Sequence, residues 1–249
     1  PEPGHQRTVD EHLTIRKYNV AELRVFEHMY IDLKDLTYAA FKSKFYALVL
    51  VDYKSLKTEV VLLHSKEDTI PRLCEVLIYL GVHKLPYLCT VHYDSDGTNI
   101  YIPEGLRHLG IAGMPTIPHR QSANLAELAI KNLTKRAKRQ LLQAQMHPKY
   151  LGLALRYCSY VDQYISQPER AKLSSWQILY GTKPDIKHLK PFGSLVSASL
   201  STAKLAVAKQ QQSAQALTGE LCLFVGYGDA GDHCTQSDKV YLLLTKAGT

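Results

Sequence analysis

The chain has 249 residues, which is long enough to bury a substantial core in one large domain or two smaller ones. Hydrophobic residues make up 45% of it and charged residues 21%, a composition that excludes a largely disordered chain. Its net charge of +7 favours a polyanionic partner, and nucleic acid is the first candidate.

The cysteines and histidines give no metal-binding pattern. The five cysteines are scattered without a CxxC pair, and the early His5 and His12 have no cysteines to complete a zinc site. We therefore expect that the chain has no zinc site. We also expect that its cysteines are reduced and that the protein is intracellular. No apolar run approaches the ~18 residues that a membrane span requires, so no membrane partner is expected. Because the chain starts at Pro1 without Met, we expect it to be a piece of something longer.

Residues 1–24 are polar and mixed in charge, which predicts an N-terminal arm or linker. Three strands are predicted next. The second is a continuous Val- and Leu-rich run, typical of a strand buried on both faces, and its short connection to the third predicts a hairpin. The three segments read VFEHMYIDL, FYALVLVDY and EVVLLHS.

A helix is predicted over 66–80, where apolar residues recur at helical spacing and Gly81 provides a C-terminal stop. The strand YLCTVHYD follows and ends at Asp94. A short helix over 103–109 stops at Gly110, and IAGMPTIP is predicted to be extended.

A long helix is predicted over 123–145, which lacks Gly and Pro and carries an apolar stripe. Glu127 is its only acid, and basic residues follow on one face of the helix. The candidate nucleic-acid-binding residues are Lys131, Lys135, Arg136, Lys138 and Arg139. The alternative to nucleic-acid binding is that these residues form an ordinary solvent-exposed helix face with one Glu–Lys ion pair.

This succession of three strands, a helix, a strand, a short helix, a strand and a long helix is that of the ribonuclease H-like α/β fold. It places Asp32 on the first strand, Asp94 at the end of the fourth and Glu127 on the long helix. Carboxylates gathered at one point repel each other unless a cation neutralises them, so we expect a Mg²⁺ site there. Two metals ~3.5–4 Å apart can drive phosphodiester chemistry.

A further helix is predicted over 149–165, and a short helix lies in SSWQILYG. Strands return from Pro191, so a small β-barrel is plausible, whereas the Gln- and Ala-rich stretch 204–220 could be helical or disordered. The predicted domains are a ribonuclease H-like core over 25–166, a linker with a short helix over 167–190, and a small all-β domain over 191–249.

Five segments in order resemble the integrases of copia-type retrotransposons, from about Phe26 onward. They are VFEHMYIDLKDL, FYALVLVDYKSLKTEVVLLHSKED, TIPHRQSANLAELAIKNL, SSWQILYGTKPDIKHLKPFGSLV and LCLFVGYGD. The resemblance implies an integrase core with an SH3-like C-terminal domain. It also implies Mg-dependent DNA strand transfer by Asp32, Asp94 and Glu127, a nuclear location, and a homo-oligomer or a subunit of a larger complex.

The chain departs from the integrase pattern at the second acid. The family has D-x-G-x-E, whereas here Asp94 stands three residues before Gly97, Asp96 stands one before it, and Asn99 replaces the final glutamate. Asp96 could therefore substitute for Asp94, or the second ligand could be missing. Leu128 and Ile130 also replace the polar residues that follow the family's catalytic glutamate.

Three functions remain open on the sequence alone. An active polynucleotidyl transferase would use the three acids with Mg²⁺ and hold the DNA backbone on the basic residues. A catalytically dead, domesticated integrase fold would keep only nucleic-acid binding or a structural role in a larger assembly. A ribonuclease H-like nuclease outside the integrases fits the strand order but not the C-terminal segments.

Overall fold

The computed structural model describes residues 19–36, 42–94, 101–116, 124–199, 219–229 and 236–244. These ranges form a five-stranded mixed sheet with helices on both faces, and a three-stranded antiparallel sheet. The mixed α/β class predicted from the sequence is confirmed. The predicted arm over 1–24 lies mostly outside the described residues, as do Asp96 and most of the stretch 204–220.

The larger sheet has the strand order β3-β2-β1-β4-β5. Strand β2 pairs antiparallel with both β1 and β3, whereas β4 pairs parallel with both β1 and β5. The tight connection between β2 and β3 gives the hairpin predicted from the sequence. The strands are β1 His28–Asp35, β2 Tyr46–Asp52, β3 Thr58–Leu63, β4 Thr90–Tyr93 and β5 Ala112–Pro115.

Five α-helices occur in the described residues, and several of them begin or end at residues typical of helix caps. The Asn124 side chain accepts a hydrogen bond from the Ala126 N–H at the start of α3, and Ser174 and Gln177 form a capping box on α5. Gly81 and Gly181 follow α1 and α5 with φ of 71° and 69°, as C-terminal glycines do. The helices are α1 Thr69–Tyr79, α2 Ile102–Arg107, α3 Leu125–Gln143, α4 Leu151–Asp162 and α5 Ser175–Tyr180.

Short 3₁₀ turns connect several of these elements. They span Val82–Lys84, Pro148–Tyr150 and Pro168–Arg170. The turn at Pro148 leads directly into α4, so the single helix predicted over 149–165 is a 3₁₀ turn followed by a shorter α-helix.

Each face of the larger sheet has its own apolar cluster. Met29, Ile31 and Leu50 pack with α1 and α2 on one face, whereas Tyr30 and Val49 pack with α3 and α4 on the other. Successive residues of a strand point to opposite faces, so the uninterrupted apolar run in β2 is buried on both sides, as its sequence predicts.

The smaller sheet packs on the α3–α4 side of the molecule. Its strands are β6 Leu195–Ser199, β7 Gly219–Asp229 and β8 Gln236–Leu244, in the order β6-β7-β8. Phe224, Val225 and Tyr227 of β7 belong to the same apolar cluster as α3 and α4. The smaller sheet therefore shares its buried surface with the rest of the chain, and the division into a core and a barrel stays a prediction.

The Phe192–Gly193 pair joins this second sheet to the end of α3. Phe192 is buried, and the Gly193 N–H donates to the Phe224 carbonyl at 2.7 Å. Gly193 has a φ of 77°, and a Cβ added to it would lie 2.3 Å from the Cβ of Ala144. Only glycine satisfies both the left-handed backbone and this close approach.

Tyrosine rings fill the contact between α4 and β7. The rings of Tyr160 and Tyr227 stack with centroids 4.0 Å apart. Their hydroxyls are paired: Tyr227 donates to the His188 carbonyl at 3.2 Å, and Tyr160 contacts His188 Nε2 at 3.0 Å. Burial of these rings with paired hydroxyls explains part of the tyrosine-rich composition.

Candidate metal site and nucleic-acid interface

Two of the predicted acids belong to neighbouring strands of the larger sheet, with Asp32 inside β1 and Asp94 directly after β4. Strands β1 and β4 are parallel, and their paired residues run from His28 and Thr90 to Tyr30 and His92, two positions short of the acids. The alternation along β1 puts Asp32 on the same face as Tyr30, which is the face that carries α3. Asp32 is half-buried and accepts a hydrogen bond from the Leu33 N–H at 2.8 Å, whereas Asp94 is exposed directly after β4.

Glu127 lies in the first turn of α3 and is half-buried. Within the described ranges, which include Asp32, Asp94 and Glu127, no three His, Cys, Asp or Glu side chains come together as a metal-binding group. Two cavities beside α3, of about 440 and 620 Å³, have neither Asp32 nor Glu127 among their lining residues. The described carboxylates therefore do not form a three-ligand metal site by themselves, and the Mg²⁺ site stays a prediction.

A pair of histidines that the sequence did not single out joins β1 to β4 on the same face as Tyr30. His28 Nδ1 and His92 Nε2 are 3.1 Å apart, and the His92 ring stacks on Tyr30 with centroids 4.5 Å apart. Burial lowers the pKa of His92 to about 4, with the neighbouring His28 as a smaller cause, and burial also lowers the pKa of His28. With its pKa at about 4, the His92 ring is neutral at pH 7. The alternation along β1 and β4, which puts His28, Tyr30 and His92 on one face, is the signal that could have found them.

Four of the five predicted nucleic-acid-binding residues are exposed on α3: Lys131, Lys135, Lys138 and Arg139. They lie in the same helix as the buried stripe of Leu133, Ala137 and Leu141, which packs into the core. Lys135 and Arg139 also border the 620 Å³ cavity between α3 and the β2–β3 hairpin. The predicted basic surface is present along this helix.

The fifth residue, Arg136, has a partner within the chain that the sequence did not reveal. Its two terminal nitrogens donate to the two carboxylate oxygens of Asp162 on α4, which is a bidentate pair. Burial raises the pKa of the Asp162 carboxyl, and the Arg136 guanidinium opposes that rise. The pair holds α3 against α4, so Arg136 has a structural role apart from any contact with nucleic acid.

Asp52, an acid at the end of the second strand, holds the turn that follows it. Its carboxylate accepts hydrogen bonds from the Ser55 N–H and hydroxyl at 2.8 and 2.6 Å, and from the Phe26 N–H at 2.8 Å. Burial raises its pKa, and these hydrogen bonds oppose the rise. The side chain therefore fixes the turn between β2 and β3 and is not directed at Asp32.

No protein-family model matches the chain, and no curated protein sequence shows significant similarity to it. In the described part of the chain, no helix has the length and hydrophobicity to span a lipid bilayer.

Proposed function

We propose that the chain is a nucleic-acid-binding protein with a ribonuclease H-like, integrase-derived fold. The observation that carries the proposal is the set of exposed cations along α3: Lys131, Lys135, Lys138 and Arg139. The order β3-β2-β1-β4-β5, with an antiparallel first half and a parallel second half, supports the fold that the copia-type resemblance implies. The three-stranded second sheet is the counterpart of the SH3-like domain in this proposal.

The spacing of these cations suits a polyanionic backbone. From Lys131 to Arg139 the helix rises about 12 Å at ~1.5 Å per residue. Duplex DNA carries about one negative charge per ~1.7 Å of its axis, so roughly seven phosphate charges fall along that length. Lysine contacts to phosphate position a protein without reading bases, so the binding should be independent of sequence.

The test is the affinity of the protein for a labelled DNA duplex, measured by fluorescence anisotropy. We expect the double variant Lys131→Ala/Lys135→Ala to weaken binding by roughly 10- to 60-fold at 0.1 M salt, because each phosphate that is no longer neutralised removes up to about 0.9 log units there. The control is Lys183→Ala/Lys187→Ala, which makes the same change in charge at exposed lysines away from α3. Equal losses of affinity in both double variants would mean that the effect comes from net charge and not from this face.

The resemblance adds further expectations about partners. DNA is the first polyanion to test and RNA the second, and the same two double variants apply to both. A nuclear location and assembly as a homo-oligomer or as a subunit of a larger complex also follow from the integrase ancestry in this proposal.

Mg-dependent DNA strand transfer is the second candidate, and the position of Asp32 within β1 and of Asp94 directly after the neighbouring β4 favours it. If Asp94 is the second ligand, Asp94→Asn should abolish metal-dependent strand transfer, whereas Asp96→Asn should be mild. Mg²⁺ at ~100 times its Kd should then stabilise the unmodified protein by about 2.7 kcal/mol. An unmodified protein with neither metal-dependent product nor stabilisation by Mg²⁺ would support the non-catalytic, domesticated form.

A further inference from the structure

A cavity of about 440 Å³ opens between the end of β1, the second half of α3 and the start of α4. Its walls are mainly apolar and include Leu36, Leu141, Met146 and Leu151. Leu142 also lines it, although its side chain is 79% exposed. The volume falls within the range of small-molecule sites in proteins, which is about 300–1,000 Å³. Removal of Leu142 and its neighbours from water would favour the binding of an apolar ligand.

Two cations and one orphaned hydroxyl accompany these apolar walls. Lys34 on β1 and Lys138 on α3 both line the cavity. Thr134 also lines the cavity. Its Oγ1 is buried and has no hydrogen-bond partner among the described residues. Asp35 also lines the cavity and is already engaged within the chain. The two lysines are therefore the polar groups that the cavity offers to an anionic ligand, since the Thr134 oxygen has no surface accessible to one.

We propose that this cavity binds an anionic amphiphile, which is a small molecule with an apolar body and a carboxylate or sulfonate group. The apolar body fits against the leucine and methionine side chains. The anionic group lies near Lys34 and Lys138. A neutral hydrocarbon would leave both ammonium groups without a ligand partner, and a small polar anion would leave the apolar walls in water. This proposal rests on the cavity and not on nucleic-acid binding, although Lys138 belongs to both surfaces.

The probe is decanoate, and its binding to the full chain is followed by displacement of 8-anilinonaphthalene-1-sulfonate, whose fluorescence rises in apolar surroundings. Decanol has the same chain length without the charge and serves as the matched ligand. We expect saturable binding of decanoate at one site and weaker binding of decanol. Lys34→Gln and Lys138→Gln should each weaken decanoate binding about three- to fivefold, as expected for partly exposed ion pairs, with little effect on decanol.

Thr134→Val is a control within the cavity lining, since it removes a buried hydroxyl, keeps the shape of the side chain and leaves both cations in place. It should leave the binding of both ligands unchanged. Lys183→Gln is the matched control, because Lys183 is exposed and does not line this cavity. An unchanged thermal melt in each variant shows that the fold persists. The proposal is wrong if decanoate does not saturate, if decanol binds as tightly, or if the lysine variants behave like Lys183→Gln.

Discussion

Replacement of Gly193 by alanine tests how the second sheet is held against α3. Gly193 has a φ of 77°, so an alanine there costs about 1–2 kcal/mol for a left-handed backbone. The new Cβ would also lie 2.3 Å from the Cβ of Ala144, and overpacking of this kind costs about 1–3 kcal/mol. We expect Gly193→Ala to lower the free energy of unfolding by about 2–5 kcal/mol, measured by urea denaturation followed by circular dichroism.

Gly181→Ala separates the two contributions. Gly181 has a similar φ of 69°, and no atom lies within 4 Å of an added Cβ there. This variant should therefore lose only the backbone part, about 1–2 kcal/mol. If the two variants are equally destabilised, Gly193 is not packed against Ala144. The contact described here between the second sheet and the end of α3 would then be refuted.

Two further predictions concern buried charge. Arg136→Met should lower the free energy of unfolding by about 1–3 kcal/mol, because it leaves the Asp162 carboxylate largely buried without its partner, and adding Asp162→Leu should restore much of the loss. Urea denaturation of both single variants and the double variant measures this, and equal stability of the unmodified protein and Arg136→Met would refute it. The His92 pKa is lowered from 6.5 to about 4 in the folded protein, so the contribution of the neutral ring to stability is fully present above pH 6.5. Up to about 3 kcal/mol of the free energy of unfolding is lost as the pH falls from 6.5 to 4, because the unfolded chain then binds a proton that the folded protein does not. His92→Phe should remove most of that pH dependence from a series of denaturation curves, and an unchanged series would contradict the buried, neutral histidine.

Individual strands, helix ends and the hairpin were predicted well from the sequence, because residue patterns within a few positions determine them. The apolar run of β2 predicted burial on both faces, and Gly81 marked where α1 ends. The close spacing of β2 and β3 predicted their hairpin. Each of these depends on residues within a few positions of each other, so a pattern in the chain suffices.

The contacts between distant residues could not be predicted in this way. Arg136 and Asp162 are 26 residues apart, and His28 and His92 are 64 apart. Only the packing of α4 on α3, and of β4 beside β1, brings these pairs together. The family resemblance named Asp32, Asp94 and Glu127, but whether three carboxylates meet depends on the placement of three elements to within an ångström or two. For the same reason the contact between Gly193 and Ala144 could not be predicted from the sequence.

The salt dependence of DNA binding tests the central proposal most directly. The logarithm of the association constant of the unmodified protein for a DNA duplex should fall linearly with the logarithm of salt concentration, and duplexes of different sequence should give the same slope. Lys131→Ala/Lys135→Ala should reduce the steepness by about 0.9 for each phosphate that is no longer neutralised, or about 1.8 for the two lysines together. A slope identical to that of the unmodified protein, or binding that depends strongly on base sequence, would contradict a phosphate-binding face on α3.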